Sequence, residues 1–325
     1  MISLNGLKTT GRIRISGVVT ANPPVIEPAP TAFGDAFGGG FYAGMIWNQL
    51  VQSSTSTAIG TGTKAFTVSD QAAIASAYTG QLLEIRSRAN PYNKMVGVVT
   101  GAAGTTLTMD ITSIGGSGTF TDWSIMARYR IIVAPKATGE TTGIAIKSTA
   151  SALPNMSQTI AEGWASTNAM RDADTSAVYP AAHWARGLNI GGFTDWYIPA
   201  RDELELCWRN LKPSTYNNYV ASQTRYSFNV HIMGAYADSY PGTSDQGINL
   251  NSYPASDRYT SLTPAQAEST LFQMGGQQSL SSNTYSSSSY HTGHGVYTQR
   301  FDNAYPGYQG FEGTNMLRAV RRVIV

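Results

Sequence analysis

Asp202, Glu203 and Glu205 are the acidic residues most closely placed for acid–base work, and Asp202 and Glu205, three apart, would share one face of a helix. Glycoside cleavage needs two carboxyls facing one bond. The simpler reading puts these acids in the first turn of a helix, where the dipole favours negative charge and water solvates it. His291 and His294 form an H-x-x-H spacing in a loop rich in Gly, Ser and Tyr. A metal would require further ligands at fixed distance, and Asp302 is the one obvious candidate nearby, so two exposed loop histidines and no metal are expected. Cys207 is the single cysteine, which excludes an intrachain disulfide and a multi-cysteine metal site. Leu204, Trp208 and Leu211 lie at helical spacing from it, so it reads as a small buried hydrophobe. The chain has no G-x-S-x-G elbow, Walker loop or dinucleotide fingerprint, so neither an enzyme nor a cofactor is expected.

The aromatic residues near the C-terminus suggest a different chemistry. Tyr285, Tyr290, Tyr297, Tyr305, Tyr308 and Phe311 are interleaved with Ser, Asn, His, Gln and Gly. Some must turn inward as strand residues. The rest would present large stiff rings beside adaptable hydrogen-bonding groups, as a paratope does. Phenol rings also stack on the apolar faces of sugars. The candidate ligand-binding set is therefore Tyr285, Ser287, Tyr290, His291, His294, Tyr297, Asp302, Asn303, Tyr305, Tyr308 and Phe311.

Composition narrows the classes further. Charged residues make up 13% of the 325, about half the usual share, while apolar residues at 42% are near average. That balance argues against disorder and against coiled coil. The net charge is +2 and no run of Lys or Arg occurs, so no nucleic-acid partner is expected. Arg318, Arg321 and Arg322 alternate with Leu317, Val320 and Val323, which reads as a final strand with one polar face. No stretch approaches the roughly 20 apolar residues that span a bilayer. The opening MISLNGLKTTGRIRISG lacks the apolar core of a signal peptide, so synthesis in a cytoplasm and no membrane insertion are expected.

Three regions position these residues. Residues 1–32 alternate and then become proline-rich, which predicts a short docking strand and a semi-rigid tether. Residues 50–128 are dominated by Ser, Thr and Gly, with short β-type runs at 66–68, 95–100 and 106–111 and a closing strand carrying Phe120, Trp123 and Ile125. This predicts a small all-β module. Residues 33–49 and 129–325 form the remainder: an apolar run, a strand at Ile131–Val133 stopped by Pro135, then helices over 158–171, from Pro180 to Gly187, and over 200–211. Short strands and turns follow from Pro213. Helices first and an irregular β region after give an α+β layout.

The stretch Gly191-Gly192-Phe193-Thr194-Asp195-Trp196-Tyr197-Ile198-Pro199-Ala200-Arg201-Asp202-Glu203-Leu204 resembles the GGxxDWxLPxxxEL signature of phage tail and bacterial surface domains with a C-type-lectin-like fold. The terminal Arg318-Ala319-Val320-Arg321-Arg322-Val323 is similar to that family's closing RAVRRV strand. Phe37–Ile46 resembles its opening strand, and Tyr129–Lys136 its YxxIVAPK strand. The 50–128 module, ending in GGSGTFxDWxI, looks like an insertion known from tail-fibre proteins.

The resemblance implies a C-type-lectin-like domain with an inserted β module and an extended N-terminal anchor. It implies a virion tail-fibre or receptor-binding protein, docked to other tail proteins through residues 1–32. It would bind a host-surface glycan or protein, as a homo-oligomer with a trimer favoured. Some relatives carry a C-terminal segment diversified by a retroelement, and 279–316 is compatible with that. The Glu-Pro-Asn type calcium motif of sugar-binding C-type lectins is missing, so recognition is expected to be calcium-independent.

Overall fold

A computed structural model describes residues 28–74, 77, 79–90, 92–149, 162–218, 261–291 and 295–325. Most of the docking strand and tether expected over 1–32 lies outside the described residues, as does the start of the helix expected over 158–171.

The first half of the chain is built of strands. β1 (Ala36–Phe37) leads into the long β2 (Gly40–Ser53), followed by β3 (Thr57–Ala58), β4 (Gly62–Thr67) and a single helical turn, α1 (Gln71–Ile74). β5 (Leu82–Ser87), β6 (Lys94–Ala103), β7 (Thr106–Gly115), β8 (Thr119–Phe120) and β9 (Trp123–Val133) complete it. The second half carries α2 (Lys136–Gly139), β10 (Glu140–Thr141), α3 (Gly163–Ala173), α4 (Pro180–Arg186) and α5 (Arg201–Leu211). It closes with β11 (Thr284–His291), β12 (Gly295–Arg300), β13 (Pro306–Gln309), β14 (Leu317–Arg318) and β15 (Val320–Ile324). The chain is thus α+β, with strands outweighing helices and several antiparallel sheets.

β9 is the spine. Along one edge it pairs with β2 from Phe41↔Val133 to Ser53↔Trp123. The other edge is shared end to end by β15, opposite Tyr129–Val133, and β5, opposite Trp123–Ala127. From β5 the sheet continues through β6 and β7 to β4, and a bridge from Val68 to Ser53 brings it back to β2. Six antiparallel strands therefore curl around one apolar cluster, with Phe66, Leu83, Ile85, Met95, Leu107, Met109, Trp123 and Ile125 inside. Curling of this kind removes the exposed edges of an open sheet.

This changes the expected domain division. The boundaries at 49/50 and 128/129 fall inside β2 and β9, which run without a break from one half into the other. The barrel is joined through two continuous strands instead of a loop, and the shift in composition marks a change of core. Phe120 belongs to β8 and not to the closing strand that begins at Trp123.

In the other half, β2, β9 and β15 are covered on both faces. Ala43, Ile46, Ile131 and Val133 pack against Leu204, Cys207, Trp208 and Leu211 of α5. Tyr42, Ile132 and Ala319 pack against Ile190 and Trp196. The expected helix ends hold where their signals are local: Pro180 opens α4, and the Gly187 amide bonds back to its last turn. β11, β12 and β13 form a separate three-stranded sheet beside α3 and α5.

The end of α5 is fixed by a buried ammonium. Lys212 is 2% exposed, and its Nζ donates to Tyr216 O and Asn218 Oδ1 at 2.6 Å each. Burial lowers its pKa. Lys212→Met keeps the stem but removes a charged donor from the buried Asn218 side chain and the part-buried Tyr216 carbonyl, so a loss of about 1–3 kcal/mol is expected in urea unfolding.

Candidate functional site

The signature residues between 191 and 204 form the base on which the small sheet stands. Asp195 grips Arg321 with both oxygens, at 2.7 and 2.9 Å. Trp196 is fully buried and donates its indole N–H to Phe193 O at 3.0 Å. The Tyr197 and Val320 backbones bond reciprocally, N to O, at 2.8 and 2.9 Å. Glu203 accepts the Ala200 N–H at 2.8 Å, closing the first turn of α5.

The acids of this segment are not the solvated helix start that was expected. Asp202 and Glu203 are 1% and 0% exposed, and Asp202 bonds to the Arg201 guanidinium at 3.1 Å. Glu205 is half-buried, accepts from Gln299 of β12 and lies in the field of Arg209; burial pushes its pKa up to about 7. Glu203 and Glu205 bond to residues outside α5, while Asp202 pairs with its neighbour Arg201 within the helix. Nor do the three C-terminal arginines share one polar face. Arg321 stands opposite Ile132 and Arg322 opposite Ile131, so they point to opposite sides, while Arg318 is buried in β14.

The small sheet divides the expected ligand-binding residues into core and surface. Tyr285 is buried, its ring 4.6 Å from Phe301, and its hydroxyl donates to Glu140 Oε2 at 2.8 Å while accepting the Ser281 N–H. Burial raises its pKa. Ser287 is buried and donates to Tyr297 O at 2.9 Å. It belongs to a run of four buried serines, Ser286–Ser289, and the Ser289 hydroxyl accepts the Arg201 N–H at 2.9 Å. Small side chains here let α3 and α5 approach β11 closely.

Tyr297 is 8% exposed beneath the Arg201 guanidinium, 5.1 Å from the ring centroid. Phe311 is 6% exposed and stacks at 5.9 Å on the half-buried Tyr290. Tyr285, Ser287, Tyr297 and Phe311 are thus packing residues and do not face outward, contrary to expectation. The cause is geometric. β12 is the central strand and is buried from Gly295 to Gln299, so Tyr297 lies under Arg201 of α5, while Tyr285 packs on Phe301 in the core that α5 covers; a bulge between Ser286 and Tyr290 shifts β11 against β12.

Tyr305 and Tyr308 do face outward, at 44% and 59% exposed. Tyr305 precedes β13 and Tyr308 lies within it, and because β13 pairs with β12 in the register Tyr297↔Tyr308 the exposed ring of Tyr308 stands beside the buried one. The turn before them is held tightly. Asn303 Oδ1 accepts the Tyr305 N–H at 3.0 Å, Asp302 O accepts from Ser214 at 2.6 Å, and Ala304 adopts a left-handed φ of 65°. Asp302 and Asn303 are half-buried beside these rings, and Arg300 pairs with Asp302. Arg300 was not singled out from the sequence, although its i, i+2 spacing to Asp302 across a turn is the signal that marks it. The His291 side chain and the whole of His294 lie outside the described residues.

Among the described residues, no three His, Cys, Asp or Glu side chains gather in a way that could hold a metal ion. No helix among them is long and apolar enough to cross a membrane. An open groove of about 740 Å³ lies elsewhere, between Phe33–Ala36 and Pro264–Leu271 over Arg209 and Asn210. Compared with known proteins, the chain matches no family model, no curated protein and no solved structure.

Proposed function

We propose that this chain is a virion tail-fibre or receptor-binding protein without catalytic activity. In this reading it carries a C-type-lectin-like domain and attaches to a host-surface glycan or protein through the outer edge of the β11–β13 sheet. The observation that carries the reading is the pair of exposed phenol rings, Tyr305 and Tyr308, on a turn and strand whose other aromatic residues are locked in the core. Rings fixed this way bind at low entropic cost, which is what recognition by tyrosine exploits. The lectin-like assignment draws support from the contact between the two signature segments: Asp195 holds Arg321, and Tyr197 bridges Val320.

Residues 1–32 would dock the chain to other tail proteins, and several copies, with three favoured, would convert weak single contacts into firm attachment. Neither a cofactor nor nucleic acid has a place in this reading.

The test is adsorption to host cells, with Tyr305→Ala, Tyr308→Ala and the double variant competing against the virion. Each single change is expected to weaken binding about tenfold, the equivalent of 1.4 kcal/mol, and the pair by more. Tyr285→Phe serves as the contrast, since it touches only the core and should leave adsorption intact while lowering stability. A folded double variant that competes as well as the parent would defeat this reading and favour a purely structural decoration role.

A further inference from the structure

The open groove between Phe33–Ala36 and Pro264–Leu271 has walls that the fold fixes independently. They touch at Gly34, whose φ of 87° is left-handed and where an added Cβ would lie 2.6 Å from Ser269 Cβ. The Gly34 amide donates to Tyr42 O at 2.8 Å, and Asp35 Oδ2 accepts the Thr31 and Ala32 amides at 2.9 and 2.8 Å. The opposite wall is tied to the residues that follow α5. Ala267 N–H donates to Lys212 O at 2.9 Å, and Gln266 Nε2 to Pro213 O at 2.7 Å. In the floor, Asn210 Nδ2 donates to Ala43 O at 2.6 Å. A cleft already held open in this way binds without ordering its own walls, and its volume of about 740 Å³ suits a small ligand.

The bonds that fix the walls leave a surplus of acceptors in the lining. Asn210 and Gln266 donate through their amide nitrogens and keep Oδ1 and Oε1 without a partner among the described residues. Glu268 is exposed, and neither its carboxylate nor the Ser269 and Thr270 hydroxyls bond to another described residue. Asp35 and Glu268 stand against one cation, Arg209, which already lies in the field of Glu205. An anionic ligand would therefore meet more negative than positive charge.

The lining also carries an aromatic platform. The Phe33 ring is 46% exposed and is backed by Tyr42, with ring centroids 5.8 Å apart. Leu271 and Ala36 add exposed apolar surface. Such a lining matches a neutral ligand that is dense in O–H donors and has one apolar face. A pyranose has both, with hydroxyls around its rim and C–H groups across a face that packs on the electron-rich side of an aromatic ring.

We propose that this groove is a saccharide-binding site: a neutral sugar ring stacks on Phe33, and its hydroxyls donate to Asn210 Oδ1, Gln266 Oε1 and the Glu268 carboxylate. The site uses none of the residues of the β11–β13 edge, and so goes beyond the attachment reading and stands or falls separately from it. With one ring and few hydrogen bonds in an open cleft, a single sugar unit binds in the millimolar range.

The test is amide NMR on the full chain, titrated with neutral di- and trisaccharides of glucose, galactose, mannose, rhamnose and N-acetylglucosamine. At least one is expected to shift the amides of Phe33, Gly34, Asn210 and 265–271 with a millimolar dissociation constant. Phe33→Ala should weaken that binding about tenfold, and Glu268→Ala about fivefold. Glu268 is exposed and has no partner among the described residues, so its variant keeps the test available if Phe33→Ala disturbs the Tyr42 contact. The Tyr305→Ala, Tyr308→Ala double variant should titrate as the parent does, which separates failure of the groove from failure of the attachment edge. Groove amides unmoved by every sugar, undiminished affinity in both groove variants, or shifts confined to the surroundings of Tyr305 and Tyr308 would each overturn the proposal. Groove shifts caused by a synthetic peptide of residues 20–32 and by no sugar would overturn it too, and would assign the groove to a proline-rich segment.

Discussion

Replacing Arg318 with Leu is expected to cost about 3–5 kcal/mol of unfolding free energy, because it strands a buried carboxylate. Arg318 is 1% exposed and its guanidinium is spent entirely on the interior. Nε donates to Ala134 O at 2.6 Å, Nη1 to Glu140 Oε2 at 2.9 Å, and Nη2 reaches Gln278 at 3.4 Å. Glu140 stands directly opposite in the β10–β14 pair, with its side chain 6% exposed. Without Arg318 it keeps a hydrogen bond from Tyr285 and, at 3.9 Å, the Lys136 ammonium. Adding Glu140→Gln to Arg318→Leu should recover part of the loss, since the stranded group is then neutral. Urea denaturation of the three variants checks this, and a single-variant loss below about 1 kcal/mol, the level of a surface pair, would refute it.

The same arginine shows what a sequence conceals. Alternation of Arg318, Arg321 and Arg322 with apolar residues correctly signals a terminal strand, β15. It cannot show that their partners are Glu140, Asp195 and Glu162, each more than a hundred residues away. Local signals fared better: Pro180 and Gly187 bracket α4, acids mark the start of α5, and Pro135 stops β9.

The candidate site was legible in part. Composition marked 285–311 as rich in rings and hydroxyls, but inward and outward tyrosines have the same composition. Strand alternation does not separate them: Tyr297 and Tyr308 stand directly opposite each other and share a face, and only the placement of Tyr297 in the central strand beneath Arg201 buries it. The domain boundaries failed for a related reason. Residues 49–50 and 128–129 keep β geometry while the side chains around them pass from one core to the next, so composition changes where the backbone does not.

That continuity has a measurable consequence, and Trp123→Ala is the variant that exposes it. Trp123 opens β9 inside the barrel and is fully buried. It packs edge-on against Phe66 at 6.3 Å and Phe120 at 5.6 Å, and donates its indole N–H to Thr55 O at 3.0 Å. Removing the ring leaves a cavity, with an expected loss of about 3–5 kcal/mol. If the barrel were an insertion on flexible tethers, only the barrel would weaken. Here β9 leaves Trp123 and continues to Val133 between β2 and β15, so fraying at one end removes pairing from both halves. Hydrogen exchange read separately on β5–β7 and on α5 across a denaturant series should show one shared transition, displaced equally in both segments. A shift of the barrel strands alone, with α5 unmoved, would mean that the two halves unfold independently despite their common strands.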